Sequence, residues 1–177
     1  MSNTNATNPT LNGHASNKTP EPNFVIHNIY VKDISFEAPN VPHIFSVEWQ
    51  PKIDFDLQMN SSDVEENLYE VSLHITVTVK LAEEKTAFII DVKQAGIFFA
   101  SGFTAEQLQQ VLAITAPNIL FPYARETISS LVMRGGFPQF ILPPVNFDAL
   151  YMRHVEEQAK ISGKTHNVTE STDAETI

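Results

Sequence analysis

Residues 69–81 alternate without a break. Tyr69, Val71, Leu73, Ile75, Val77, Val79 and Leu81 make one row. Glu70, Ser72, His74, Thr76, Thr78 and Lys80 make the other. Strict period-two alternation marks a strand with one face buried and one face wet. At roughly 3.3 Å per residue, the apolar row is about 40 Å long. A row of that length needs neighbouring strands beside it and a layer of helix over it.

Three other runs qualify as neighbours. Phe24 to Ala38 begins apolar on both sides and resolves into alternation, with Ile34 and Phe36 on one face and Asp33, Ser35 and Glu37 on the other. Ile53, Phe55, Leu57 and Met59 alternate with Lys52, Asp54, Asp56 and Gln58, and Asn60-Ser61-Ser62-Asp63 is expected to end that strand. The turn Ala82-Glu83-Glu84-Lys85 leads back as a hairpin into Thr86–Phe99. That last run is apolar on both faces around Phe88–Ile90, which predicts a second partner and favours sheet-mediated association between subunits.

Cover is available downstream. Thr104 with Gln107 has the form of a capping box, followed by Leu108, Val111, Leu112 and Thr115 at helical spacing. Pro117 is expected to end that helix, and Pro122 to sit in the first turn of a new one. The new helix carries Tyr123, Ala124, Thr127, Ile128, Leu131 and Val132 on one face, and Gly135-Gly136 stops it. Residues 137–146 are proline-rich and extended. Asn146 then caps a last helix whose apolar side includes Phe147, Leu150, Tyr151 and Val155. The polar ends, 1–22 and 160–177, are expected to be disordered, leaving one domain at 23–159.

Charge narrows the class of partner. Of the net -10, all but -1 falls between residues 23 and 159. An acidic folded surface argues against binding phosphate backbones and suits a basic protein partner, or simply solubility. Asp33 and Glu37 lie on one strand face about 13 Å apart, too far to share a proton but well placed for two separate contacts with a basic surface. There is no cysteine, hence no disulfide or thiolate chemistry. With neither a secretory leader nor an apolar run of membrane-spanning length, the chain reads as cytoplasmic.

Catalytic motifs are not found. There is no GxSxG elbow, Walker loop or dinucleotide fingerprint, and the histidines at 14, 27, 43, 74, 154 and 166 are scattered without metal-ligand spacing. His74, on the polar row, reads as a solvated side chain. No catalytic residue, metal or cofactor is expected. What stands out is surplus apolar surface: Phe45, Trp49, Ile53, Phe55 and the segment Phe137–Pro144 exceed what one sheet and three helices need. Such a surplus points to an interface or a groove.

Four segments carry a family resemblance: KDISFEAPN (Lys32–Asn40), NILFPYARE (Asn118–Glu126), RGGFP (Arg134–Pro138) and PPVNFDALY (Pro143–Tyr151). In this order, over about residues 24–158, the chain resembles the SecB family of bacterial protein-export chaperones. The resemblance implies an α+β fold, a four-stranded antiparallel sheet with helices packed on one face, assembling as a dimer of dimers. It implies an ATP-independent chaperone that holds unfolded precursor proteins and delivers them to the SecA motor. By motif, Asp33, Glu37, Ile89 and Asp91 resemble the SecA-docking surface, the last two beyond a turn one residue longer than the family's usual one. Trp49, Ile53, Phe55 and Leu57 resemble the client groove, and Ile90, Val92 and Gln94 the strand face between dimers. Two alternatives stay open: a SecB-like chaperone dedicated to a toxin–antitoxin pair, and, in a different class, a small-ligand enzyme or binder using the apolar groove.

Overall fold

A computed structural model describes residues 21–169. The disorder expected for the outermost tails lies outside these residues. Four strands are present: β1 (Asn23–Glu37), β2 (Lys52–Glu65), β3 (Leu68–Lys80) and β4 (Thr86–Ser101). They form one antiparallel sheet in the order β1-β4-β3-β2. The long alternating row is thus an inner strand, and β1 and β2 are the two edges. Val71, Leu73, Ile75, Val77 and Val79 are all buried.

Two details of the strands differ from expectation. Asn60-Ser61-Ser62-Asp63 does not end β2, which continues to Glu65 because each of these residues pairs with one between Tyr69 and Ser72 on β3. Backbone pairing on an edge strand needs no apolar side chain, so polar sequence did not stop it. In β1 the two-sided apolar stretch is explained by register shifts at His27 and Lys32. Each extra residue flips the side chains that follow to the opposite face.

The helical layer is continuous where two helices were expected. Thr104 and Gln107 form the capping box, each side chain accepting from the other's backbone N–H. Helix α1 (Ala105–Gln110) then passes through one π turn (Val111–Thr115) directly into α2 (Ala116–Arg134). The wide turn resets the helix so that Pro117 falls in the first turn of α2, where an N–H is not required. Pro122 is inside α2 rather than at its start. A proline there ordinarily costs about 3 kcal/mol. It is tolerated because Leu120, Phe121, Ala124, Ile128 and Val132 are buried against β3 and β4. Tyr123, assigned to the buried face, is exposed.

Helix α2 stops as expected. Gly135 and Gly136 return their N–H groups to Leu131 and Met133, and Gly136 takes the left-handed conformation at φ 79°. A side chain at Gly135 would collide with the Phe36 ring. Beyond the turn, Phe137 packs against Phe36, Phe45, Trp49 and Phe88, with ring centroids 4.9–6.3 Å apart. Part of the apolar surplus is therefore this aromatic cluster. Asn146 caps α3 (Phe147–Thr169) by accepting from the Ala149 N–H. The helix runs past Lys160, where a disordered tail was expected to start; no proline and only Gly163 oppose it.

Candidate functional site

Among the described residues the sheet has one face under the helices and one without a covering element. On the covered side, β2 lies beyond the reach of α2, which packs on β3 and β4. Ile53, Phe55 and Met59 are consequently 45%, 42% and 39% exposed although they continue the core row, opposite Val79, Val77 and Leu73. Leu57, between them, is half-buried. At one end of this row Trp49 leans on Phe137 at 6.0 Å. At the other end a cavity of about 420 Å³ opens between β2 and the helices, lined by Leu57, Met59, Leu112, Leu150 and Tyr151 among others. The structure therefore brings Ile53, Phe55 and Leu57 onto one face of β2, with Trp49 toward one end. Met59 extends the row, and the same alternation in the sequence already pointed to it. Because β2 is an edge, its outer backbone N–H and C=O groups have no partner strand among the described residues.

The uncovered face carries the acidic positions. In the register of β1 with β4, Asp33 faces Lys93, Ser35 faces Asp91, and Glu37 faces Ile89. Cross-strand partners share a face, so Asp33, Glu37, Ile89 and Asp91 are one surface. Asp91 is hydrogen-bonded: His74 Nε2 lies 2.8 Å from both carboxylate oxygens and Thr76 Oγ1 donates at 2.9 Å. His74, read as solvated, is thus held in a cross-strand pair. The two residues are seventeen apart in sequence, and only the β3–β4 register makes them neighbours.

A second cluster on this face ties β1 to β3 across β4. Tyr30 Oη donates to Glu70 Oε1 at 2.6 Å, and Lys32 Nζ reaches both Glu70 oxygens at 2.7 and 2.9 Å. The bridge spans β4 at Ala95, the partner of Tyr30, whose side chain is too small to block it. Burial, then the hydrogen bond to Glu70 and its charge, push the Tyr30 hydroxyl up to about 12. The bonds from Lys32 and then Tyr30 hold the Glu70 carboxyl below its usual range.

The residues expected on the strand face between dimers are covered within this one chain. Ile90 and Val92 are 0% exposed and Gln94 is 2% exposed within this one chain. They point under α2, where Gln94 Nε2 donates to the Tyr30 carbonyl at 2.9 Å. A second copy would reach them only through the helix. Exposed apolar groups include Val25, Ile26, Val31 and Ile34 on β1, Tyr123 and Met133 on α2, and Ile141 beside Met133.

Comparison with known proteins places these surfaces in context. Residues 17–158 match the family described as "Preprotein translocase subunit SecB". The chain belongs to the SecB family. A curated relative, the protein-export protein SecB of Methylococcus capsulatus (strain Bath), is 52% identical over 140 residues, covering 79% of this chain and 90% of the relative. Among solved structures, the Mycobacterium tuberculosis SecB-like chaperone Rv1957, in complex with a ChAD peptide from the HigA1 antitoxin, has a TM-score of 0.59 at 17% identity, covering 70% of this chain and 91% of that one. That likeness establishes the SecB-like α+β fold, and the family establishes a protein-export chaperone. Among the described residues no helix is long and apolar enough to cross a membrane.

Proposed function

We propose that this SecB-family chain is an ATP-independent holding chaperone of the cytoplasm that binds unfolded precursor proteins along β2 and passes them to the SecA motor through its open acidic face. The observation that carries this reading is the apolar row Ile53–Phe55–Leu57–Met59 on an edge strand with an unpaired backbone. An extended client adds as a strand to the β2 edge and sets alternate side chains on the row and into the adjoining cavity. Each large side chain fully buried contributes roughly 1.5–3 kcal/mol. Fixing the client backbone opposes this at roughly 1–2 kcal/mol per residue. Near cancellation per residue gives affinity spread over long segments with little sequence preference, and a folded client hides those segments.

Asp33, Glu37, Ile89 and Asp91 supply an apolar contact flanked by carboxylates, suited to a basic surface of SecA. Assembly as a homotetramer, a dimer of dimers, is supported by the apolar side chains left exposed on β1 and on α2. Ile90, Val92 and Gln94 enter that assembly by setting how α2 lies on the sheet.

The fold match to a chaperone bound to an antitoxin peptide supports a second reading, service to a dedicated toxin–antitoxin pair. The 52% identity to an export SecB favours general export. A small-ligand enzyme has less behind it: the histidine lining the β2 cavity, His154, is engaged by Gln158 at 2.9 Å, and no carboxylate lines it. Calorimetric titration with an unfolded, slow-folding precursor, with the folded form as control and no nucleotide, tests the proposal. Binding to the unfolded form alone is expected. No binding to either form refutes a general holding chaperone.

A further inference from the structure

The carboxylate of Asp91 is not bare. His74 Nε2 is 2.8 Å from both of its oxygens, and Thr76 Oγ1 is 2.9 Å from Oδ2. An ionised carboxylate only accepts hydrogen bonds, so the nitrogen facing it carries a hydrogen, which sets the tautomer of the neutral ring. The pair is within reach of an incoming partner, with side chains 38% and 30% exposed. The charged groups that share its face include Lys93 opposite His74 on β4, Asp56 and Asp54 on β2 opposite Thr76 and Thr78, Asp33 and Glu37 on β1 opposite Lys93 and Ile89, and Glu70, with Lys32 bound to it, and Lys80 further along β3. Of these groups, imidazole is the one whose charge ordinarily changes between pH 5 and 8.

We propose that His74 is a positioning residue of the acidic docking face and sets the pH range in which that face accepts a basic partner. Neutral His74 holds Asp91 by a hydrogen bond and leaves its negative charge for a lysine or arginine of the partner. Protonated His74 is a cation already against Asp91, and it cancels that charge at the spot where the partner's cation would sit. Thr76 keeps the carboxylate aimed in both states. This inference rests on the reading of the open face as the SecA-docking surface.

A proton on the ring and a partner's cation compete for the same carboxylate, so by reciprocity docking disfavours proton uptake at His74.

The test is calorimetric titration of SecA with the full chain at pH 6 and pH 8, for the natural sequence and for His74→Gln. Glutamine keeps an N–H donor for Asp91 and does not titrate in this range. The natural chain is expected to lose more affinity on acidification than His74→Gln, since any titration within SecA is common to both. Equal losses in the two chains overturn the role of His74. Asp33→Ala with Glu37→Ala, and separately Asp91→Asn, are run at pH 8. If both bind SecA as the natural chain does, the docking reading itself has failed, whatever the pH slopes.

Discussion

Replacing Ile53, Phe55 and Met59 together by threonine isolates the client row from the rest of the molecule. Threonine suits a strand, and the three side chains sit on an edge, so the sheet should survive. The loss in client binding follows from exposure. A large apolar side chain contributes about 1.5–3 kcal/mol when fully buried. These three still present 45%, 42% and 39% of their surface. That leaves about 0.6–1.3 kcal/mol each for a client to cover, or about 2–4 kcal/mol together. At 1.4 kcal/mol per tenfold, affinity for an unfolded precursor should fall about 20- to 500-fold. Calorimetric titration measures the loss, and chemical denaturation confirms that the variant is folded. A folded triple variant that binds the precursor within about twofold of the natural chain would refute the assignment of β2 as the client strand.

Asp33→Ala with Glu37→Ala should weaken SecA binding while leaving precursor binding near normal, and SecA binding by the natural chain should weaken with added salt as exposed charges are screened; unchanged SecA affinity in the variant removes the acidic pair from the docking surface. Tyr30→Phe should abolish a late step in a spectrophotometric tyrosine titration, because the Tyr30 hydroxyl is pushed up to about 12. The fold favours the neutral phenol, so its contribution is present below the ordinary value near 10 and is lost as pH rises through about 12. At the acid end Glu70 has the opposite sign: its carboxyl is held low, so its contribution is present above the ordinary glutamate range and is lost as pH falls through the lowered value. Removing its partner by Lys32→Gln should therefore raise the midpoint of acid unfolding, and an unmoved midpoint counts against the bridge. Tyr123→Asp with Met133→Asp, both exposed on α2, should shift the chain to smaller species in light scattering at micromolar concentration, whereas Val92→Asp should unfold it by placing a charge in the core.

The strands were legible because their physics is local. Alternation over Tyr69–Leu81 and Ile53–Met59 states the period and the buried row in the residues themselves. Caps at Thr104 and Asn146 and the Gly135-Gly136 stop were legible for the same reason. The errors occur where a local rule met a distant contact. Pro117 and Pro122 break a helix in isolation, but one π turn and the packing of Leu120 and Ala124 on the sheet carry the helix through. Period two tells which residues of β4 share a face, not which face α2 will cover, so the burial of Ile90, Val92 and Gln94 under the helix is not stated by the strand itself. The pairing of His74 with Asp91, and the reach of Tyr30 over β4 to Glu70, depend on register, which no single segment of sequence states.

The open edge of β2 also bears on pairing between copies of the chain. Laid antiparallel to a second copy and centred on Phe55, Asp54 of each strand would face Asp56 of the other; laid parallel and in register, each aspartate would face its own duplicate. Either arrangement sets acid beside acid, which disfavours pairing. A foreign segment without acids at that spacing meets no such repulsion. The alternation that exposes the apolar row thus also makes the edge a poor template for its own copies, which disfavours edge-to-edge growth into fibres.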